Sequence, residues 1–260
     1  MYILAIVGSQ RKRGNTARFV QMIGAELGAL ADRAGQPLTF ETLYLGDLDI
    51  RPCRGCRTCF DRGEGKCPLR DDMPAVKAKM DAADGLLLAS PVYVDDVSGL
   101  TKTWIDRLAY LCHRPGLGGK CAYPVATVGG SPTSHALRTM NGALLTWGYH
   151  LAGRTGLKMG ALTPADDMAR FRPEAAKVAA RLFGAIVRED ALRPTFVSLL
   201  AFKIQQLAWQ REPADSYDVA YWHARGWLAS DRTFYVAHRA GRFKVALARL
   251  AGAVVSRLVT

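Results

Sequence analysis

The chain has 260 residues, and 49% of them are hydrophobic, which is typical of a globular protein with a core and excludes a disordered one. Lysine and arginine outnumber the acidic residues by 35 to 23, for a net charge of +12. The basic residues are scattered, with only Arg11, Lys12 and Arg13 in an unbroken run, so no dedicated nucleic-acid partner is predicted. No apolar stretch approaches the roughly 18 residues that span a bilayer, which argues against a membrane partner.

The chain begins with MYILAIVGSQ, an apolar run that ends in a glycine. No basic region precedes this run and no small-residue cleavage site follows it, so we predict a first β strand instead of a signal peptide. We therefore expect a cytoplasmic protein, in which the six cysteines stay reduced and favour metal ligation over disulfides.

Apolar strand-length runs alternate with amphipathic helix-length segments through most of the chain. The predicted strands are 2–7, 38–45, 85–90, 123–128 and 151–159. The predicted helices are 16–34, 73–83, 100–111, 134–149 and 173–189, with Asn15 and Ser134 as N-caps and Pro173 at a helix start. Continuous apolar strands joined by long crossovers predict an α/β fold, with parallel strands and helices on both faces.

The loop after the first predicted strand, GSQRKRGNT, leads directly into a helix and is predicted to bind a phosphate. Unpaired N–H groups and the helix dipole favour an anion at a helix N-terminus. Five residues separate Gly8 from Gly14 and no Lys-Ser/Thr follows, so the loop is neither a Walker A loop nor the dinucleotide motif G-x-G-x-x-G. An ordinary strand-to-helix turn is the alternative. The candidate ligands are Ser9, Arg11, Gly14, Asn15 and Thr16.

Four cysteines are closely spaced in the pattern C-x2-C-x2-C-x7-C, at Cys53, Cys56, Cys59 and Cys67. The first three cysteines have the spacing of the bacterial ferredoxin run, so an iron-sulfur cluster is the favoured interpretation. A four-cysteine zinc site, disulfides and thiols without a ligand remain alternatives, because spacing does not distinguish iron from zinc.

Two further loops follow predicted strands and frame a crevice at the carboxyl edge of the sheet, where open parallel sheets bind ligands. FMN fits this space. Its ring would lie on Pro91, Val92 and Tyr93, with Tyr93 offering an aromatic face or edge. Backbone amides at Gly129, Gly130 and Ser131 could approach the polar edge of the ring.

Residues 1–189 resemble the flavodoxin-like NAD(P)H-dependent FMN reductases and, among them, the iron-sulfur flavoproteins. The resemblance rests on GSQRKRGNT, on DIRPCRGCRTC with Cys67, and on SPVY followed by TKTWIDR. It implies a five-stranded parallel sheet in the order 2-1-3-4-5, FMN as cofactor, NAD(P)H as a possible donor, and a [4Fe-4S] cluster on the cysteines.

The predicted function is that of an FMN-dependent oxidoreductase. It would pass electrons from a two-electron donor to a small-molecule or protein acceptor, through the cluster. One alternative is an FMN-only reductase of quinones, nitro compounds or flavin; another is a non-catalytic redox carrier or sensor. No catalytic acid or base is nominated, because hydride reaches a flavin without one.

The α/β pattern stops near residue 194, so we predict an FMN-binding domain over 1–194, with a cysteine-rich insert at 51–72, and a helical, aromatic-rich extension over 195–260. Apolar residues recur at helical spacing near the end of the extension. We expect this stripe to join subunits into a dimer or tetramer; packing within the chain and contact with a membrane surface are the alternatives. The stripe consists of Phe243, Leu247, Leu250, Val254 and Leu258.

Overall fold

A mainly parallel β sheet forms the centre of the computed structural model, which describes residues 1–161, 163–164, 166–188 and 192–258. Its strands are β1 (Tyr2–Val7), β2 (Thr39–Tyr44), β3 (Gly85–Tyr93), β4 (Asp96–Val97), β5 (Cys121–Val128), β6 (His150–Leu151) and β7 (Thr155–Lys158). The parallel order is β2-β1-β3-β5, and both β6 and β7 pair in parallel with β5. The predicted α/β class and the predicted 2-1-3-4-5 path are confirmed.

In the described residues the sheet has seven strands, two more than the five predicted. The predicted strand 151–159 is divided into β6 and β7 at Gly153, where a Cβ atom would lie 2.7 Å from the ring of Tyr123. The short β4 pairs antiparallel with β3, since the chain reverses at Val94 and Asp95, which both have positive φ angles.

Helices cover both faces of the sheet. They are α1 (Asn15–Arg33), α2 (Thr58–Asp61), α3 (Met73–Ala82), α4 (Gly99–Arg107), α5 (Ser134–Thr146) and α6 (Arg172–Val187). One core cluster places α1 and α6 against the sheet face that carries Ile3, Ala5 and Leu87. A second cluster places α3, α4 and α5 against the opposite face, which carries Leu4 and Leu86.

Several predicted helix boundaries need correction. The N-caps of α1 and α5 are Gly14 and Thr133, not Asn15 and Ser134. Helix α5 stops at Thr146 because Gly148, with φ of 97°, turns the chain away from the helix. Helix α4 ends at Arg107, and a separate 3-10 turn follows at Ala109–Cys112. Pro173 does lie at the start of α6, whose predicted end at residue 189 falls outside the described residues.

The extension forms a core of its own. Its helices are α7 (Phe196–Trp209), α8 (Tyr217–Ala224) and α9 (Arg242–Leu258). The buried members of this core are Leu199, Phe202, Trp222, Trp227, Phe234, Tyr235 and Ala248. The aromatic residues of this core are therefore covered within the chain, whereas the apolar stripe of α9 is exposed. No helix in the described residues is both long enough and apolar enough to cross a membrane.

Candidate functional site

A cavity of about 190 Å³ lies at the carboxyl edge of the sheet, between the loops that follow β1, β3, β5 and β7. This is the switch in strand order at which open α/β sheets bind their ligands. Of the predicted cofactor-binding residues, Gly130 and Ser131 are exposed and do not line this cavity. The predicted residues that do line it are Ser9, Arg11, Gly14, Asn15, Thr16, Pro91, Val92, Tyr93 and Gly129.

Buried hydroxyl groups on β3 and at the start of α4 fix the backbone that follows β1. The hydroxyl of Ser98 donates to the carbonyl of Gly8 at 2.6 Å, and the Ser98 amide donates to Ser90 Oγ at 3.0 Å. The Thr101 hydroxyl donates to Ser90 Oγ at 3.1 Å. A Cβ atom on Gly8 would lie 1.8 Å from Thr101 Oγ1, so only glycine fits at this position. These contacts hold two walls of the cavity at a fixed separation.

The start of α1 gives the cavity a positive end. Gly14 caps the helix, and the first-turn N–H groups that follow it have no partner within the helix. Ser9 Oγ accepts from the Arg11 amide at 3.1 Å, which folds the loop over the helix start. The exposed Arg11 guanidinium has no hydrogen-bond or ion-pair partner among the described residues, whereas the neighbouring Lys12 pairs with Asp47. The first turn of α1 carries no acidic residue, so this end of the cavity suits a phosphate.

Asn15 and Thr16 line the same cavity, but their side chains bind other parts of the protein. Asn15 Nδ2 donates to the carbonyls of Met159 at 3.3 Å and Gly160 at 3.2 Å, and its Oδ1 accepts from the Thr163 amide at 2.9 Å. The Thr16 hydroxyl lies 2.6 Å from that of Thr127. Both side chains therefore tie α1 to the loops after β5 and β7.

The partners of Asn15 and Thr16 were not among the residues predicted from the sequence. Thr127 is a polar residue near the end of an otherwise apolar strand, and this placement could have identified it from the sequence as a site residue. The contribution of Met159, Gly160 and Thr163 had no comparable signal, since their contacts with Asn15 bridge more than 140 positions.

The hairpin between β3 and β4 forms the outer rim of the cavity. Tyr93 is 54% exposed, and Val94 at the tip is fully exposed. Val94 and Asp95 have φ angles of 49° and 66°, a conformation that is costly for a β-branched valine. The strained turn places Tyr93 beside the cavity, where its ring could contact an aromatic ring system.

The cysteine segment 51–72 is closed at its base by hydrogen bonds between its ends. The Arg51 amide donates to Asp71 Oδ2 at 3.0 Å. The buried Arg107 forms an ion pair with Asp71 and donates to the carbonyl of Arg51 at 2.9 Å. Burial raises the pKa of Asp71, but hydrogen bonds from Arg107 and from the Arg51 and Met73 amides outweigh it and hold that pKa below its ordinary value. Arg107 also lies 3.9 Å from the Cys67 sulfur.

All four cysteines of this segment are free thiols that line one cavity of about 540 Å³. Cys53 and Cys56 are exposed, whereas Cys59 and Cys67 are half-buried. Burial, and then the nearby Cys53 and Cys67 thiols, raise the pKa of Cys59, while the Thr58 hydroxyl lowers that of Cys56. Among the described residues, however, no three metal-binding side chains are close enough to hold an ion. The donor set suits a cluster or zinc, but the thiols would have to move together to bind one.

A buried arginine joins the cysteine segment to the extension. Arg114 is 1% exposed and forms an ion pair with Asp218 of α8. Its Nη2 atom donates to the carbonyl of Cys59 at 2.5 Å and to Glu64 at 3.2 Å. The Trp222 indole adds a hydrogen bond to the carbonyl of His113 at 2.7 Å. The extension thus packs directly against the segment that carries the cysteines.

Known proteins share sequence similarity with this chain. A sequence profile of the family described as NADPH-dependent FMN reductase matches residues 1–155. An iron-sulfur flavoprotein from Archaeoglobus fulgidus is 34% identical over 149 residues, which are 57% of this chain and 64% of that protein. Another from Methanocaldococcus jannaschii is 36% identical over 138 residues, covering 52% of this chain and 67% of that protein. The matched region thus spans just under two thirds of the Archaeoglobus protein.

Solved structures share the fold at low sequence identity. An oxidoreductase from Corynebacterium diphtheriae has a TM-score of 0.54 and 20% identity, over 72% of this chain and 98% of its own. RosB, solved with 8-demethyl-8-formylriboflavin 5′-phosphate, has a TM-score of 0.56 and 16% identity, over 92% of this chain and 91% of its own. The second match reaches into the extension, so the fold likeness is not confined to the sheet domain.

Proposed function

Because this chain belongs to the NADPH-dependent FMN reductase family, in which it groups with the iron-sulfur flavoproteins, we propose that it is an FMN-dependent oxidoreductase that takes electrons from NAD(P)H. One observation carries the proposal. The predicted phosphate loop and the predicted flavin loop line a single cavity, with the N-terminus of α1 at one end and Tyr93 at the other.

Each part of this cavity has a distinct task in holding FMN. Arg11, Ser9 and the first amides of α1 would bind the phosphate, while Asn15 and Thr16 keep that helix start in place. Tyr93 would lie against the ring. FMN supplies the chemistry when bound, since flavin accepts a hydride and can release electrons singly. The chain binds and orients the cofactor, and no residue is needed as a general acid.

Arg11 offers a selective test of the phosphate site. Arg11→Gln removes the unpaired guanidinium, and loss of a charge-assisted hydrogen bond costs about 1.5–3 kcal/mol, so FMN should bind about 10- to 100-fold more weakly. Riboflavin, which lacks the phosphate, should bind the variant and the parent protein equally. Flavin fluorescence titration measures both affinities.

Arg13→Gln is the matched control for this test, because Arg13 is exposed in the same loop but does not line the cavity. It should leave FMN affinity unchanged. Equal loss of FMN and riboflavin binding in Arg11→Gln, or no loss of either, would contradict a phosphate site in this loop.

We further propose that Cys53, Cys56, Cys59 and Cys67 bind a [4Fe-4S] cluster, which would pass the electrons singly to a small-molecule or protein acceptor. Support comes from the names of the relatives, from the spacing, and from the four free thiols around one cavity. The separation of the thiols keeps one alternative open, an FMN-only reductase of quinones, nitro compounds or flavin whose cysteines bind zinc or no metal.

Metal and flavin analysis of protein purified without oxygen separates these possibilities. Cys59→Ser should remove most of the iron and leave FMN in place, because the two sites lie on different loops. Cys112→Ser is the control, since Cys112 is half-buried outside the cysteine segment, and it should retain both. Unaltered protein that carries FMN together with stoichiometric zinc, or with no metal, would rule out the cluster and favour the FMN-only reductase.

A further inference from the structure

Helix α9 contacts the rest of the protein through its small residues. Ala248, Gly252 and Ser256 are its buried positions. A Cβ atom on Gly252 would lie 2.9 Å from Lys203 of α7, so glycine is what allows the two helices to approach closely. Among the larger apolar side chains of α9, Val245 also packs against the core of the extension, whereas five others are exposed.

Those five side chains form an exposed stripe on the other side of the helix. They follow one another at intervals of three or four residues, which places them on one helical face. Phe243 is 82% exposed, Leu250 66% and Leu258 80%. Leu247 and Val254 are also exposed and complete the stripe. Contiguous exposed apolar surface of this kind marks an interaction site.

The charged residues of α9 itself are all positive. Helix α9 carries Arg242, Lys244, Arg249 and Arg257, and neither α9 nor α7 contains an acidic residue. Within the described residues, no acidic side chain pairs with Arg242, Lys244 or Arg257.

We propose that α9 binds the surface of an anionic lipid bilayer, with its apolar stripe in the boundary between headgroups and acyl chains. A helix with an apolar face and basic flanks binds membranes in this way, lying in the interface without spanning it. Helical geometry places Lys244 and Arg257 at the borders of the stripe, where they reach lipid phosphates.

A second copy of the chain fits the same face less well. In a symmetric dimer the same patch lies on both sides of the contact. Two α9 helices would then bring their cationic residues together without an acidic partner on either helix. The same cationic residues of α9 that oppose self-association would attract anionic lipid. This inference does not depend on the proposed redox function, because none of the residues involved lines either cavity of the sheet domain.

Vesicle flotation of the full-length protein tests the proposal. The protein should float with vesicles of phosphatidylcholine mixed with phosphatidylglycerol and remain unbound with pure phosphatidylcholine. Added salt should weaken the binding. Phe243→Ser with Leu250→Ser should lower the partition coefficient at least about tenfold, because two apolar anchors are lost. Lys244→Gln with Arg257→Gln should lower it about fivefold for each charge.

Val187→Ser with Arg181→Gln is the matched control, because it removes one exposed apolar residue and one exposed charge from α6. It should bind vesicles as the unaltered protein does. All substituted positions are exposed, and thermal unfolding checks that each variant keeps its fold. Since the two α9 variants act through different forces, either one alone can test the proposal.

Three outcomes would overturn the membrane proposal. One is equal binding to neutral and anionic vesicles. Another is unchanged flotation of both α9 variants. The third is a protein that does not float and forms a dimer in light scattering, which Phe243→Ser with Leu250→Ser converts to a monomer. That last result would instead assign the face to a second copy of the chain.

Discussion

At the scale of single residues, the cofactor cavity depends on a glycine that does not line it. Gly8 directly follows β1. Its carbonyl accepts the hydrogen bond from Ser98, which joins the end of β1 to the start of α4. Thr101 occupies the space that a side chain at position 8 would need. The predicted phosphate loop is thus held in place by close backbone packing as well as by its own polar residues.

Gly8→Ala should therefore damage both the fold and the cavity. Overpacking of a buried site costs about 1–3 kcal/mol of unfolding free energy, and here the displaced atom belongs to the network that connects the loops. We expect a lower denaturation midpoint and weaker FMN binding. Gly28→Ala is the control, because its Cβ would meet no atom within 4 Å. A glycine-to-alanine change in a helix interior should stabilise the protein by about 0.5–1 kcal/mol. Equal stability of the two variants would refute this account.

At the scale of elements, the sequence predicts the sheet well because its signals are local. Strands β1, β3 and β5 are runs of buried apolar residues, and each helix on the sheet shows an amphipathic face. One of the wrong boundaries depends on a contact between residues distant in sequence. Gly153 divides the last predicted strand because the ring of Tyr123 lies against it, and no pattern in residues 151–159 indicates that contact.

The candidate site, too, could be predicted from the sequence only in part. The residues of the two loops could be identified from the sequence, because they follow strands that end at one edge of the sheet. Their individual contacts could not be predicted. Asn15 binds Met159, Gly160 and the Thr163 amide, a contact that depends on how the loop after β7 folds. Likewise, the cysteine spacing predicts a shared cavity but not the positions that the four thiols occupy in it.

At the scale of the whole molecule, two hydrophobic units meet at the cysteine segment. The aromatic core of the extension is separate from the two clusters that cover the sheet. The units are joined near Arg114, a buried arginine that contacts Asp218 on one side and the carbonyl of Cys59 on the other. The extension therefore positions the cysteine segment, even though it contributes no cysteine itself.

Asp218→Asn should weaken this connection without altering either core. Removing one partner of a buried ion pair costs up to about 3–5 kcal/mol, and here the buried Arg114 would keep only the exposed Glu64 as a counter-charge. We expect lower stability and faster alkylation of Cys59 in metal-free protein, since a thiol that gains solvent ionises and reacts more readily. The exposed Cys53 should react at an unchanged rate, as measured by mass spectrometry of iodoacetamide-treated protein. Asp215→Asn is the control, because Asp215 is an exposed residue of the extension close to Asp218 in sequence. It should alter neither alkylation rate. If Cys59 reacts equally fast in Asp218→Asn and in the unaltered protein, the extension does not position the cysteine segment through Arg114.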